Sequence, residues 1–351
     1  MKEEVVKIKK TNKLRLFALI AAGVVLLLFG ACRVFYGYAV KPVSDRSFMI
    51  YIDKNTSDTD LYASLENHIG RGELLRLKRL MKIKKCNPAK NPGAYKIDSA
   101  MSVYAVYKML AGGLQTPVKF TFNNIRTVEQ FAQKAGEQLM FSQEELLALL
   151  SDTERLSALG FTKETLPALF IPDTYEFYWT VSPERFIDRM KKEYDRFWND
   201  LRRKKAEKIS LTPVEVATLA SIVEEETNDS EELSIVAGLY LNRLKRGILL
   251  QADPTVKFAA GDFEMRRILL AHLQIDSPYN TYKYVGLPPG PIRIPSKRGI
   301  DAVLNYTKHD YLYMCAKEDF SGRHNFAKTL AEHNRNAERY HAALSARKIF
   351  K

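Results

Sequence analysis

The sequence predicts an α+β protein with an N-terminal transmembrane helix, a small α+β module and then a mixed α/β domain. Three observations support this prediction. They are an uncharged apolar run near the N-terminus, strand-like segments that flank amphipathic ones up to about residue 115, and a helix-rich remainder. The chain has 351 residues, of which 46% are hydrophobic and 27% charged. This length suffices for two folded domains and an anchor.

The composition restricts the classes of partner and site. A formal net charge of +13 favours an anionic partner such as nucleic acid, anionic lipid or an acidic cell-wall polymer. Nucleic acid is the weaker choice, because the sequence has no zinc-finger spacing, no glycine–aromatic RNA-binding signature and no basic region that leads into heptads. The cysteines Cys32, Cys86 and Cys315 are widely spaced, which fits neither a disulfide framework nor a zinc site. We therefore expect no metal and no cofactor.

The N-terminal apolar run predicts a membrane anchor. Leu16–Cys32 contains seventeen residues without a charge, and after Arg33 the apolar character continues to Val40. A spanning helix needs about 20 apolar residues, and an arginine near its end can reach the interface. The basic residues before the run predict a cytoplasmic N-terminus. The alternatives are a cleaved signal peptide and a lipoprotein signal at Cys32; both, like the anchor, export the chain from about residue 41 onward.

A small α+β module follows the anchor. Residues 47–53, SFMIYID, alternate as a strand does, and two short helical patterns come next. The turn-rich CNPAKNPGAYKID then leads into another strand, so the order is strand–helix–helix–strand. The segment AMSVYAVYKMLAGG reads as an amphipathic helix that ends at glycines.

The next region combines short strands with helices. PVKFTFNN reads as a strand and TVEQFAQKAGEQL as a helix with Thr127 as its N-cap. Residues 141–205 are mostly helical in pattern, with an interruption at FIPDTYEFYW. The highly charged MKKEYDRFWNDLRRKKAEK indicates a solvated helix face, and it places a boundary before the block that starts near Ile209.

The segment LTPVEVATLASIVEEET predicts a helix with a well-defined start and an acidic end. Thr212 can cap the helix, Pro213 suits its first position, and Glu215 completes a capping box. A spacing of 100° per residue puts Val216, Leu219, Ala220 and Val223 on one apolar face. Glu225 then lies nearly opposite, toward solvent, while Glu224 and Glu226 lie on the two margins. Periodicity alone does not choose between the marginal pair.

A carboxyl group on such a margin suits acid catalysis. Apolar neighbours disfavour the ionised form and raise the pKa of a carboxyl group, which a proton donor near neutral pH requires. The alternative is an ordinary helix C-terminus with solvated acids, although the helix dipole opposes acids at that end.

Polar loops follow this helix. LQADPTV reads as a loop that offers Gln251, Asp253 and Thr255, after a helix that ends near Gly247. SPYNTYKYVGLPPGPIRIPS cannot form a regular helix, because five of its residues are prolines. Its tyrosines and amides suit a sugar chain, whose rings stack on aromatics and whose hydroxyls need polar partners; a rigid structural loop is the alternative. RHNFAKTLAEHN then places further polar residues before the last helix.

Six motifs in this order resemble a known family: ASIVEEET, LYLNRL, LQADPTV, YNTY, GLPPGPI and EHN. They are similar to those of the YceG-like endolytic murein transglycosylases (MltG type), and FIPDTYEF resembles the FPDTY element of that family. The resemblance is dense in residues 209–340 and weaker in 41–205. It implies that the small module is similar to LysM.

The resemblance also implies an activity and a site. The activity is cleavage of peptidoglycan glycan strands between N-acetylmuramic acid and N-acetylglucosamine, which leaves a 1,6-anhydro-muramic end. The catalytic acid of the family is the second of an E-x-E pair, which here is Glu226; Glu225 occupies a position where relatives often carry lysine. The expected substrate-binding residues are Glu224, Gln251, Asp253, Thr255, Tyr279, Asn280 and Tyr282.

The predicted organisation comprises a cytoplasmic tail (1–15), a transmembrane helix (16–38), a LysM-like module (46–115), a linking α/β region of the YceG-like domain (116–205) and a catalytic core (206–351). The expected setting is a single-pass protein of the bacterial plasma (inner) membrane, with peptidoglycan strands and peptidoglycan synthases as partners and a role in terminating glycan elongation. One alternative is a non-catalytic glycan-binding scaffold of the wall-synthesis machinery. Another is a hydrolase that uses Glu226 together with Asp253.

Overall fold

The computed structural model describes residues 2–265 and 267–347. The chain divides into two compact units. The first comprises the described residues up to Val118 together with Glu176–Thr180, and the second comprises Lys119–Tyr175 and the described residues from Val181 onward. Helices and short strands alternate along the chain, so the predicted α+β class is confirmed.

The N-terminal helix is long and apolar. Helix α1 (Lys2–Phe35) continues into a π-helical turn at Tyr36–Val40. Within it, Lys13–Val40 spans 28 residues with a mean hydropathy of 2.4 in its most apolar window, which is enough by length and composition to cross a membrane. Its large apolar side chains are exposed, a state that water disfavours and lipid accommodates. The helix is consistent with the predicted membrane span.

The first unit has the predicted order of strand, helix, helix and strand. It consists of β1 (Phe48–Ile52), α2 (Asp58–Glu66), α3 (Arg71–Ile83) and β2 (Gly93–Ile97), followed by α4 (Val103–Ala111). The two strands pair antiparallel, with Phe48 opposite Ile97. The apolar faces of the helices and strands share one core, which includes Ile50, Leu61, Leu77, Ile97 and Val106. A LysM-like fold is not established by these features.

The segment between residues 118 and 208 is mainly helical. Its elements are β3 (Val118–Thr121), α5 (Val128–Gln138), α6 (Gln143–Leu150), α7 (Thr153–Leu159), β4 (Thr174–Phe177), α8 (Pro183–Phe197) and α9 (Asp200–Lys208). Strand β4 pairs with β3 and lies in the predicted interruption of the helical run. Phe120, Phe122, Phe131 and Phe186 form a buried aromatic cluster with ring centroids 4.9–6.0 Å apart.

The remaining elements begin with helix α10 (Pro213–Glu226). It is followed by α11 (Leu233–Lys245), α12 (Asp253–Ala260), α13 (Lys297–Leu304), the antiparallel hairpin of β5 (Tyr313–Ala316) and β6 (His324–Ala327), and α14 (Leu330–Ala346). Helix α10 packs against α11, α12 and α13. The proline-rich segment between α12 and α13 contains neither an α-helix nor a strand, as predicted.

Helix α10 begins as predicted and is more buried than predicted. Thr212 Oγ1 accepts a hydrogen bond from Glu215 N, and Glu215 Oε2 accepts one from Thr212 N, so the capping box is present. Every residue from 216 to 223 is buried, because neighbouring helices cover all sides and not one apolar face. The buried Ser221 hydroxyl donates to Thr218 O at 2.7 Å and accepts from Ile292 N at 3.0 Å.

Two loop predictions were wrong. Asp253 and Thr255 lie in the first turn of α12 and not in a loop; Pro254 occupies an early helical position that tolerates a missing N–H. The polar residues Glu332, His333 and Asn334 lie inside α14, which starts at Leu330 after the Thr329 N-cap, and not before the last helix. In both cases a cap or an early proline marks a helix start that the apolar periodicity did not reveal.

The N-cap of α10 gives a first prediction. Replacing Thr212 by alanine removes the oxygen that accepts from Glu215 N, and we expect the free energy of unfolding to fall by about 1 kcal/mol. Thr212→Ser keeps the hydroxyl and serves as the matched control. Chemical denaturation of the full chain in detergent measures both variants; equal stability of the alanine variant and wild type would show that the cap contributes nothing.

Candidate active site

The last residue of α10, Glu226, lines a cavity in the second unit. The cavity has a volume of about 380 Å³ and is also lined by Gln251, Asp253 and Tyr282. Tyr240 of α11 donates its hydroxyl proton to Glu226 Oε1 at 2.7 Å. The bond joins the end of α10 to the middle of α11 and holds the carboxyl group at the cavity wall.

The pKa of Glu226 is raised from 4.5 to about 7. Burial is the main cause, because removing a carboxylate from water penalises the charged form. The negative charge of Asp253 adds to the rise, and the hydrogen bond from Tyr240 opposes it by stabilising the ionised form. Burial is the larger effect, so Glu226 exists in both protonation states near neutral pH. A group of this kind can donate a proton and take one back.

The neighbour Glu225 has a different environment. It accepts from Arg126 Nη2 at 2.9 Å and from Arg293 Nη1 at 2.6 Å. Its side chain is only 20% exposed, so the prediction that it points to solvent was wrong. Helical periodicity placed it opposite the apolar face, but two arginines from distant segments cover that side. Glu225 is therefore an ion-paired residue that ties the end of α10 to its surroundings.

Glu224 is also engaged away from the cavity. It accepts from the backbone N–H of Ser296 at 2.9 Å and from the Ser296 hydroxyl. Gly299 of α13 approaches it closely, since a Cβ atom there would lie 2.5 Å from the Glu224 carboxyl carbon. The structure therefore places Glu224 at the start of α13 and not beside Glu226.

Three of the predicted substrate-binding residues reach the cavity of Glu226. Tyr282 donates its hydroxyl proton to Asp253 Oδ1 at 2.6 Å, which links the proline-rich segment to the first turn of α12. Gln251 has a φ of +50°, and its side-chain oxygen accepts from Arg243 at 3.2 Å. Gln251, Asp253 and Tyr282 thus form one wall made from two chain segments.

Three others lie outside the described lining of that cavity. Thr255 is fully buried, and its hydroxyl pairs with that of Thr281 at 2.8 Å. Asn280 is also buried and donates to the carbonyl groups of Leu273 and Ile275. Tyr279 packs on Phe258 with ring centroids 4.6 Å apart, beside a separate cavity of about 410 Å³. The first two hold the loop in place, and the third contributes to the second cavity.

Sequence reasoning missed part of the site. Tyr240 and Arg243 line the cavity from α11, and Tyr313 and His333 line it from β5 and α14. The available signal was the spacing of Tyr240 and Arg243, two side chains with polar groups about one turn apart on α11.

The acidic end of α10 is also linked to the β5–β6 hairpin. Glu232 is 3% exposed. It accepts from the Thr227 hydroxyl at 3.2 Å and from the backbone N–H of His324 at 2.8 Å. His324 Nδ1 lies 2.9 Å from the same carboxylate. Across residues 2–265 and 267–347 no three His, Cys, Asp or Glu side chains cluster as metal ligands would.

The raised pKa of Glu226 predicts a pH-dependent stability. Between pH 4.5 and about 7 the folded protein binds one more proton, at Glu226, than the unfolded chain does. The stabilisation that this proton provides is fully present below pH 4.5 and is lost as the pH rises to about 7. We expect Glu226→Gln, which imitates the protonated form, to increase the free energy of unfolding at pH 8 by up to roughly 3 kcal/mol and to leave it unchanged at pH 4. Denaturation at both pH values measures the effect.

Glu225→Gln is the matched control. It removes the charge that pairs with Arg126 and Arg293, so we expect the free energy of unfolding at pH 8 to fall by about 1–2 kcal/mol. A loss of stability at pH 8 in both variants would contradict the prediction, because it would mean that ionisation of Glu226 costs little free energy in the folded protein.

The bond from Tyr240 gives a further prediction. Tyr240→Phe removes the donor that favours the carboxylate, so the pKa of Glu226 should rise above the value of about 7. Carbon-13 NMR of glutamate-labelled protein measures this pKa, and the Glu226→Gln spectrum assigns the signal. An unchanged or lower pKa in the phenylalanine variant contradicts the assigned role of the hydroxyl.

Comparisons with known proteins identify relatives of this chain. A protein of Bacillus subtilis named endolytic murein transglycosylase is 32% identical over 265 residues, covering 71% of this chain and 72% of that protein. A protein of the same name from Streptococcus pneumoniae is 29% identical over 288 residues; the match covers 72% of this chain but only 51% of the pneumococcal protein.

Structural comparison gives the same family. A solved structure of a yceG-like protein from Listeria monocytogenes has a TM-score of 0.57 and 27% identity, covering 83% of this chain and 99% of that one. The YceG-like family model matches residues 50–339, from within β1 to within α14. The chain therefore belongs to the YceG-like family.

Proposed function

We propose that this protein is a membrane-anchored lytic transglycosylase, a lyase that cleaves peptidoglycan glycan strands internally. The single observation that carries the proposal is Glu226, a carboxyl group with a pKa of about 7 that a tyrosine hydroxyl holds at the wall of a cavity. The names of the relatives from Bacillus subtilis and Streptococcus pneumoniae support the same activity.

One carboxyl group is sufficient for this reaction. Glu226 gives its proton to the glycosidic oxygen as the bond from that oxygen to C1 of N-acetylmuramic acid breaks. The O6 atom of the same sugar then bonds to C1, and the Glu226 carboxylate takes the O6 proton. The product has a 1,6-anhydro end, no water is added, and the enzyme returns to its starting protonation state. An ordinary glycosidase needs a second carboxylate because water or the enzyme supplies its nucleophile.

The segments that carry Gln251, Asp253 and Tyr282 supply groups that suit a sugar. Gln251, Asp253 and Tyr282 present an amide, a carboxylate and a phenol to the cavity, and we propose that they hold the glycan near Glu226. Glu224, Thr255 and Asn280 would act indirectly, since their polar groups bond to the protein. Tyr279 would contact only a strand that extends into the second cavity.

The remaining parts of the proposal concern location. Helix α1 would hold the protein in the bacterial plasma membrane with the N-terminus in the cytoplasm, so that both units face nascent strands. A LysM-like first unit would bind glycan, and peptidoglycan synthases would be the protein partners. Cleavage near such synthases would terminate elongation of the glycan chain.

A hydrolase is the second candidate, because Asp253 lines the same cavity as Glu226 and could direct a water molecule. The two reactions differ in mass, since an anhydro end is lighter than a reducing end by one water. A scaffold without catalysis would bind strands and leave them intact.

Digestion of purified glycan strands tests the proposal. Wild type should yield anhydro-ended fragments by mass spectrometry, and Glu226→Gln should lower their rate of formation by at least about a thousandfold, because no other group supplies the proton. Glu207→Gln, on the exposed side of α9, is the matched control and should retain activity. Reducing ends would indicate hydrolysis, and intact strands with retained binding would indicate the scaffold.

A further inference from the structure

Arg243 is a buried cation in the cavity of Glu226. It lies on α11 one turn after Tyr240 and is 7% exposed. Its Nε atom donates to Leu312 O at 2.6 Å, and its Nη1 atom donates to the carbonyl oxygens of Leu249 and Leu250 at 3.0 and 2.8 Å. These bonds fix the guanidinium at the cavity wall.

No carboxylate among the described residues lies within ion-pair distance of Arg243. All its hydrogen-bond partners are uncharged, and its Nη2 atom has none among residues 2–265 and 267–347. Other arginines of the same unit do have carboxylate partners: Arg126 and Arg293 pair with Glu225, and Arg202 pairs with Asp301. A buried charge is costly unless an opposite charge compensates it, so Arg243 lacks the partner that its position calls for.

The immediate contacts of Arg243 add aromatic groups, and Glu226 of the same cavity acts on it electrostatically from beyond ion-pair distance. Its guanidinium lies 5.4 Å from the ring centroid of Tyr313. His333 stacks on Tyr313 with ring centroids 5.5 Å apart, and its Nδ1 atom is buried without a partner among the described residues. Burial and the nearby Arg243 lower the pKa of His333, which keeps the imidazole neutral.

The cavity therefore combines two kinds of group. Glu226 and Tyr240 can transfer a proton, and Arg243 with Tyr313 can attract an anion. Tyr240 and Arg243 are three residues apart on one helix, a spacing that brings side chains to about 5–6 Å at Cβ. An anion bound at Arg243 would consequently belong to the sugar at the cleavage position or to a substituent attached directly to that sugar.

We infer that Arg243 and Tyr313 form a subsite for a carboxylate that the N-acetylmuramic acid residue carries beside the scissile bond. This inference rests on the proposed function. The two alternating sugars of the strand differ by the lactyl ether of muramic acid, which carries either its own carboxylate or a peptide with carboxylates. A planar guanidinium is suited to a carboxylate. The subsite would thereby select which of the two alternating bonds reaches Glu226.

The test varies the substrate and uses wild-type protein first. Four strand preparations are compared by the kcat/KM for anhydro product. Two keep their peptides, with the peptide carboxylates either free or chemically amidated. Two are stripped of peptides by an amidase, with the lactyl carboxylate that remains either free or amidated. Amidation of the carboxylate that the subsite binds should lower kcat/KM about tenfold, mainly by raising KM. If amidation lowers kcat/KM for strands that keep their peptides, the bound group is a peptide carboxylate. If it lowers kcat/KM for stripped strands, the bound group is the lactyl carboxylate.

Arg243→Gln completes the test. Its kcat/KM should be low and equal for amidated and untreated strands, because the variant can no longer recognise the charge. Arg202→Gln, which removes an arginine that already has a carboxylate partner, should keep the wild-type preference, and thermal midpoints check the folding of both variants.

The outcomes separate this inference from the proposed function. If wild type makes anhydro product equally well from all preparations, the carboxylate subsite is wrong and the lyase activity stands. If Arg243→Gln keeps the wild-type preference for untreated strands, Arg243 does not recognise the substrate carboxylate. If wild type makes no anhydro product from any preparation, the proposed function fails first.

Discussion

The three adjacent carboxyl groups at the end of α10 are the constraint on which the site depends. The helix dipole is negative at that end, so acids there need compensation. Glu225 receives two arginines, and Glu224 receives the N–H and hydroxyl of Ser296. Within the described part of the chain, Glu226 accepts a side-chain hydrogen bond only from the phenol of Tyr240. The first two acids therefore have strong partners, and the third is left in surroundings that favour its neutral form.

Satisfied polar groups inside the protein position the loops around that carboxyl group. Ser221 accepts from the backbone of Ile292, and Thr255 pairs with Thr281. Each bond connects a helix to the proline-rich segment, which lacks the backbone ladder of a helix or sheet. Buried polar groups must find partners, so these few bonds determine where Tyr282 meets Asp253. The cavity wall is rigid because its supports are buried.

The cavity concentrates groups that reduce stability in isolation. Burial is the main cause of the raised pKa of Glu226 and of the lowered pKa of Arg243, and neither group forms an ion pair among the described residues. Electrostatic stress of this kind is typical of functional sites, where the ligand or the reaction supplies the missing partner. Arg243 remains in place because three carbonyl oxygens hold it, which makes it available without reorganisation.

Local chemistry alone determined the apolar N-terminal helix, the βααβ order and the capped start of α10, because length, alternation and caps act between neighbouring residues. The motifs also pointed to Glu226 by resemblance, whereas periodicity left Glu224 and Glu226 equivalent. Only tertiary structure decided the environments of the acids: the partner of Glu224 lies 72 residues away, and the two partners of Glu225 lie 99 and 68 residues away. Tyr240 and Arg243 became site residues for the same reason. A pKa depends on what folding brings beside a group, and local sequence does not contain that information.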